Sequence, residues 1–420
     1  MSDYLYRLES RLNPRQVQLL AEVQQVAERA GAHLFLVGGA VRDLAAGLAI
    51  RDLDFAVEAP ALKLIRQLDR RRFSVLSTDP QRQSAELLYA GLATAEIAMC
   101  RTETYTKTGA RPEVAPATIQ EDLRRRDFTV NAVALSLNPG SRGLVLDPTN
   151  GLADIEHKEL RTPYNHSFYD DPARLLRLVR LASRLKYSVE PRTKSQYDSA
   201  LEAGLLEHVP PRARLRELEQ LALEPDATDA VKALAGAGLL GLFEPHLPKK
   251  IDPRALSRLE KCRRLIESSD LRVEFFGAFL YCLTQKLSPA EKANLRTRTA
   301  MRAAEAGPWT RLESQAKTLQ KTLAGKQAAQ NSRLYRILSA EDPAAALFLM
   351  AFSPQQPVRE RIKTYFTKLR PLARDLTDQE IEQQGVKRDS PKFASVREAY
   401  LMARLDKKTH RKVLSSSLRA

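Results

Sequence analysis

Hydrophobic positions in the first part of the chain change period several times. After Asn13-Pro14, an N-cap followed by proline at the first helical position, Leu19, Val23 and Val26 recur at helical spacing. Gly31 is the expected stop. An apolar run, Leu34–Val37, ends in Gly38-Gly39, and a short helical pattern follows. From Asp52 the period becomes two: Leu53, Phe55 and Val57 share one face, Asp52, Asp54 and Ala56 the other. Leu62, Ile65 and Leu68 are spaced for one face of a helix over 61–72, and 73–76, 86–89 and 95–100 read as short strands. Residues 101–120 carry Gly109, Pro112 and Pro116 with little periodicity and read as a mobile loop. Beyond about residue 160 strand patterns almost vanish. Amphipathic helices follow one another, broken by proline or glycine at 210–211, 236–241, 245–253, 307–308 and 353–357. The pattern predicts an α+β chain: a mixed sheet domain first, then an all-α remainder.

Composition narrows the class. With 420 residues, 43% of them apolar, and a mean hydropathy of −0.37, the chain has length for two to four globular domains. No apolar run approaches the ~18 residues of a membrane span, and MSDYLYRLES lacks the basic and apolar regions of a signal peptide. Three cysteines, Cys100, Cys262 and Cys282, form no CxxC pair, which argues against a disulfide framework or zinc site and fits a reducing cytoplasm. The net charge of +16 predicts a polyanionic partner. No basic amphipathic segment with Trp or Phe anchors stands out, so nucleic acid is preferred over a membrane surface. Residues 355–420 hold 16 Lys+Arg against 8 Asp+Glu and so supply +8 of that charge.

The candidate chemistry begins at Gly38-Gly39 and the Asp52-x-Asp54 pair. Two carboxylates on the open face of a strand suit a hard divalent cation, and a glycine turn lets backbone N–H groups approach phosphate. Glu96, in the last strand candidate, is a third possible carboxylate. The segment EDLRRRDFTVNAVA, 121–134, reads as the start of a half-buried helix, with Arg124 to Arg126 able to fork onto phosphate oxygens. The segment DDPARLLRLVRLASRLKY, 170–187, reads as a helix with Pro172 in its first turn and an apolar side of Leu175, Leu178, Val179, Ala182 and Leu185. Arg174, Arg177, Arg180 and Arg184 gather on about a third of its circumference. Asp171 and Arg174 are neighbours at i, i+3. Beside a nucleotide such a pair can read a base: the carboxylate accepts from the amino group of cytosine or adenine and rejects the carbonyl of uracil or guanine.

Several stretches taken together resemble the class II CCA tRNA nucleotidyltransferases and bacterial poly(A) polymerases. The family signature GG-x-V-R-D…D-x-D is read here as Gly38, Gly39, Val41, Arg42, Asp43, Asp52 and Asp54. RRDFTxNA is matched at 125–132, DPxxGxxD at 147–154, and EDxxR at 170–174, with Asp170 in place of the family Glu. PRARLRELEQL, 211–221, resembles a fifth motif that supports the neck. The family often has glycine where Lys186 stands, and where Asp389-Ser390 stands.

The resemblance implies a polymerase-β-like nucleotidyltransferase head over 1–160, a helical neck over 161–225, a body over 226–350 and a basic tail over 351–420. It implies that Asp52 and Asp54, with Glu96, hold two Mg²⁺ ions for attack of an RNA 3′-hydroxyl on a nucleoside triphosphate. Gly38, Gly39, Arg42, Arg126, Asp127 and Asn131 would hold the triphosphate and ribose. Asp171 and Arg174 would select CTP and ATP, with Arg177 and Arg180 beside them. Asp147, Gly151 and Asp154 would be structural or hinge residues. The loop over 101–120 would help switch nucleotide specificity. Body and tail would grip the acceptor–T arm of tRNA, and a cytoplasmic monomer is expected. Addition of CCA, of CC or A alone, or of poly(A), and more distantly RNA binding without catalysis, remain open at this level.

Overall fold

The computed structural model describes residues 3–90, 93–267 and 275–406. The chain divides into two compact units, one of residues 1–218 and 229–242, the other of residues 219–228 and 243–420.

The first unit opens with helices α1 (Asp3–Arg11) and α2 (Pro14–Arg29). Asn13 caps α2 through its side chain and Gln16 reaches back to the Asn13 N–H, closing a capping box. Gly31, at φ +63°, ends α2, and the Ala32 N–H bonds the Ala27 carbonyl 3.0 Å away.

A sheet follows: β1 (Leu34–Val37), β2 (Leu53–Val57), β3 (Phe73–Asp79), β4 (Ser84–Tyr89) and β5 (Ala93–Met99), with α3 (Gly38–Ala45) and α4 (Ala61–Ile65) between strands. After β6 (Arg101–Thr104), β7 (Glu113–Pro116) and α5 (Ile119–Arg124), β8 (Ala134–Ser136) and β9 (Val145–Leu146) complete it. The order is β3-β4-β5-β2-β1-β8-β9, with β2 and β5 parallel and the other neighbours antiparallel.

The larger core lies on the face bearing Leu53, Phe55 and Val57, against Leu19, Val23, Val41 and Leu44. A smaller core on the opposite face joins Phe35, Val37 and Ala56 to Ile119 and Leu123 of α5. The face bearing Asp52 and Asp54 is therefore closed at Ala56 and open only toward the start of β2.

Four expectations are corrected here. Strand β2 begins at Leu53, so Asp52 precedes its first paired residue. The helix over 61–72 stops at Ile65, because the Gln67 and Leu68 N–H groups bond three residues back and turn the chain. The supposed mobile loop is a two-stranded hairpin, β6 with β7, whose register pairs Arg101 with Pro116 and Thr104 with Glu113. Gly109 and Pro112 lie in its connection and Pro116 ends its strand, where the missing N–H is tolerated. The stretch 121–134 ends a helix rather than starting one: α5 stops at Arg124, a 3₁₀ turn spans Thr129–Asn131, and the chain enters β8.

Helices α6 (Gly151–His157), α7 (Ser167–Asp170) and α8 (Ala173–Leu185) come next, with a short parallel pair, β10 (Glu159–Leu160) and β11 (Ser188–Val189), and then α9 (Pro191–Glu202). Their shared core includes Phe128, Phe168, Leu175, Leu178 and Leu181. Lys186 caps α8 at φ +57°, the left-handed backbone for which glycine is the usual choice. Asp147 accepts from the Gly151 and Leu152 N–H groups at 2.7 and 2.9 Å and so caps α6. Asp154, buried, accepts from Thr129 and Arg161. Helix α10 (Pro211–Leu223) passes from the first unit to the second.

The second unit is helical throughout its described residues. The helix Asn331–Ala340 has no side-chain N-cap of its own. Asp406 supplies one, accepting from the Ser332 N–H at 2.9 Å and the Ser332 hydroxyl at 2.7 Å. Residues 407–420 of the expected tail lie outside the described residues. Among the described residues no helix is long and apolar enough to cross a membrane.

Candidate active site

Sheet register brings the carboxylates together. Asp54 on β2 pairs directly with Glu96 on the parallel strand β5, so their side chains leave the same face. Glu86 on β4 pairs with Glu96 from the other side, making a row of three carboxylates across three strands. Asp52, one pleat before Asp54, accepts from the Thr94 hydroxyl. Asp54 and Glu96 are reached by solvent, yet protein crowds around both, as expected of groups lining a concavity. Burial, then Glu96 and Asp52, push the Asp54 pKa up to about 7 against the pull of Arg126 and Arg42. Burial and Glu86 raise that of Glu96, opposed by Arg101, Arg126 and Arg216.

The glycine turn lies against this cluster. Gly38 has φ +64°, and a Cβ on it would stand 3.2 Å from Asp54 Oδ2 and 3.4 Å from Arg126 Nη1. A Cβ on Gly39 would stand 3.4 Å from Arg42 Nη2 and 3.6 Å from Asp54 Oδ2. Gly38, Gly39, Asp54 and Arg126 therefore surround one small space. Arg126 is aimed into it by Asp122, which accepts from its Nε and Nη2 at 3.1 and 2.8 Å, and also from Arg125. Burial would raise the Asp122 pKa, but Arg126 and Arg125 outweigh it and hold it at about 2.

Arg42, expected to help hold the triphosphate, is engaged by protein partners. It is 3% exposed, donates to Asp43 at 2.9 Å, and donates to Asn131 at 2.6 Å. Asn131 donates in turn to Asp127 at 3.0 Å, and Asp127 accepts from Arg177 at 3.1 Å. Glu217 of α10 accepts from Arg177 and Arg180, both at 3.1 Å. Asp43 also accepts from Arg184 at 2.8 Å. One polar network thus runs from the GG helix through the 3₁₀ turn to α8 and α10. Burial opposes the charge of Asp127, but Arg177 and Asn131 hold its pKa at about 2. Glu217 first, then Asp127 and Asp171, keep Arg177 protonated despite its burial.

Asp171 and Arg174 also meet. Asp171 caps α8 through the Ala173 N–H at 3.1 Å, and its Oδ2 lies 3.8 Å from Arg174 Nε. Near them Tyr105, just past the hairpin's first strand, donates to Glu103 at 2.7 Å, and burial with Glu103 and Asp171 raises its pKa.

Two groups in this arrangement, Asp122 and Glu86, escaped the sequence reading. Asp122 sits three and four residues before the arginines it orients, a spacing that could have identified it. Glu217, in the 211–221 motif expected to support the neck, holds Arg177 and Arg180. Glu86 becomes a neighbour of Glu96 through strand register alone. Among the described residues, Glu244, His246 and Glu291 of the second unit also group closely enough for a cation. The Lys250 ammonium already sits on Glu291, at 2.7 and 2.8 Å.

Residues 34–161 match the family model described as the poly A polymerase head domain. The A-adding tRNA nucleotidyltransferase of Aquifex aeolicus is 32% identical over 364 residues, which cover 84% of this chain and 43% of that one. The CC-adding tRNA nucleotidyltransferase of Deinococcus radiodurans is 36% identical over 236 residues, 56% of this chain and 62% of its own. The chain spans about half the length of the curated relatives it matches first. A solved structure titled the CCA-adding enzyme apo form II has the same fold, with a TM-score of 0.55 at 24% identity over 99% of this chain and 98% of that one.

Proposed function

The chain belongs to the family of class II CCA tRNA nucleotidyltransferases and bacterial poly(A) polymerases, and from that premise we propose that it extends the 3′ end of tRNA. It adds CCA, or part of it, from CTP and ATP without a nucleic-acid template and releases pyrophosphate. The observation that carries this reading is the in-register meeting of Asp54 and Glu96, with Asp52 one pleat away, against the positive-φ turn at Gly38.

The donor set fits a hard divalent cation, Mg²⁺ in this proposal. Its atoms are all carboxylate oxygens, and burial, with Glu96 and Asp52 beside it, leaves Asp54 with a raised proton affinity that a cation would relieve. Asp52, Asp54 and Glu96 would hold it. When bound, such ions lower the pKa of an RNA 3′-hydroxyl and offset charge on the departing pyrophosphate.

The chain's own groups do the rest. The Gly38 and Gly39 turn leaves room for a phosphate between Asp54 and Arg126, and Arg126, fixed by Asp122, presents its fork there. Arg42 acts through Asn131, which with Asp127 is placed to hold the ribose. Asp171 accepts from the amino group of cytosine or adenine, and Arg174 donates to the ring acceptor beside it. Basic helices of the second unit contact tRNA phosphates without reading sequence. The proposal includes a cytoplasmic location, where tRNA and nucleoside triphosphates meet.

Addition of A alone is the second reading, favoured because the A-adding relative aligns over 84% of this chain. The test is incubation with tRNA lacking one, two or three terminal nucleotides and each NTP singly, with and without Mg²⁺. Incorporation of CTP or ATP, dependent on the cation, is expected. Cation-independent incorporation, or equal use of all four NTPs, would refute the proposal.

A further inference from the structure

Arg174 is anchored far more firmly than one ion pair with Asp171 requires. It is 4% exposed. Its Nη1 donates to the Tyr164 hydroxyl at 2.9 Å and to the Ser167 hydroxyl at 2.7 Å, and its Nη2 donates to the Arg125 carbonyl at 2.8 Å. The guanidinium also lies over the Tyr164 ring, 5.7 Å from its centroid. Asp170 stands beside the same hydroxyl.

Three acceptors from two parts of the chain thus fix the plane of the fork. They leave Nε buried and without a hydrogen-bond partner among the described residues. The Asp171 oxygen, at 3.8 Å, is beyond hydrogen-bond reach. A buried guanidinium N–H left empty is costly, and such groups call for an explanation. A ligand that supplies the acceptor is one.

We propose that Tyr164 and Ser167 are positioning residues for nucleobase selection: they lock Arg174 so that its Nε–H is reserved for a ring acceptor of the incoming base. Cytosine and adenine offer an unprotonated ring nitrogen next to their amino group. Uracil and guanine carry an N–H at that place and would meet the locked donor head-on. Selection therefore depends on the fork not rotating, which Arg174 alone cannot ensure. This inference rests on the base-reading role proposed above.

The test measures, in the full chain, the ratio of CTP and ATP incorporation to UTP and GTP incorporation on truncated tRNA. The variants are Ser167→Ala, Tyr164→Phe, the pair together, and Arg174→Ala, each with its thermal melting curve. Loss of one anchor should reduce discrimination about tenfold, the worth of one hydrogen bond to a charged group. The double variant should lose more, and Ser167→Thr, which keeps a hydroxyl acceptor, should recover what Ser167→Ala loses. If Arg174→Ala abolishes discrimination while the anchor variants keep the wild-type ratio and shift only the melting temperature, the anchors are structural and the inference fails alone. If Arg174→Ala itself keeps the ratio, base reading fails and takes the inference with it. Should the double variant not fold, each single variant still has two of the three anchors and decides the question.

Discussion

Gly38 carries two demands at once, a left-handed backbone and a bare Cα facing Asp54 and Arg126. Alanine there costs about 1–2 kcal/mol from the backbone alone. It also pushes on the carboxylate. Gly38→Ala should therefore reduce nucleotide addition far more than it lowers the melting temperature; equal, modest losses in both would mean that the turn is only structural. Asp122 gives a pH dependence. Its pKa is about 2 in the fold against an ordinary 3.8, so the unfolded chain binds its proton more readily. The stabilisation is fully present above about pH 4 and is lost as pH falls toward 2. Asp122→Asn should cost roughly 2 kcal/mol at neutral pH and flatten the acid limb of stability in urea titrations. At this scale the Asp52 and Asp54 pair was legible because strand period places alternate residues together. Glu96 was legible only as a candidate, since nothing in the sequence states that β5 runs parallel to β2 in the register that sets it beside Asp54. The burial of Arg42 was not legible for a related reason: its partner Asn131 is far away in sequence.

Local signals were legible at several helix ends, but the break expected at 307–308 lies inside the continuous helix Ala303–Ala324, and elements stabilised by distant partners were not legible. Asn13, Pro14 and Gly31 bracket α2 as expected, and Pro172 and Lys186 bracket α8. The β6–β7 hairpin was missed because its strands, RTET and EVAP, lack an apolar alternation. Much of its order comes from side chains, Arg125 donating to the Arg101 carbonyl at 2.7 Å and Arg101 to Glu103 at 2.8 Å. Gly151 shows a close approach that sequence cannot reveal: a Cβ there would stand 2.1 Å from the Thr129 carbonyl oxygen. Asp406 is the corresponding case in the second unit, an N-cap delivered from 74 residues beyond Ser332. Asp406→Ala should lower the stability of that unit by about 1–2 kcal/mol. Chemical denaturation followed by tryptophan fluorescence checks this, since Trp309 lies in the same unit. An unchanged midpoint would show that solvent replaces the cap.

At the scale of the molecule, charge and motif placement point the same way. A net +16, half of it from residues 355–420, is far more than nucleotide binding needs and suits a long phosphate backbone. Affinity for tRNA should fall at least about tenfold between low and physiological salt, linearly on a log–log plot, while single-nucleotide binding changes little. A flat salt response would remove the second unit from tRNA recognition. The change from mixed sheet to helices near residue 160 was legible because period two gives way to 3.6. Around the boundary expected at 225–226, residues 219–228 group with the second unit and residues 229–242 with the first, an alternation that no local signal states, because α10 runs through its start as one continuous helix. In the proposed function the Asp52, Asp54 and Glu96 carboxylates form the metal-dependent centre for nucleotide addition. Its most direct measurement is incorporation of labelled CTP and ATP into truncated tRNA by Asp54→Ala, with tRNA binding followed in the same preparation. Loss of roughly a thousandfold or more in incorporation with tRNA affinity unchanged is the predicted result. Incorporation at the wild-type rate would contradict it.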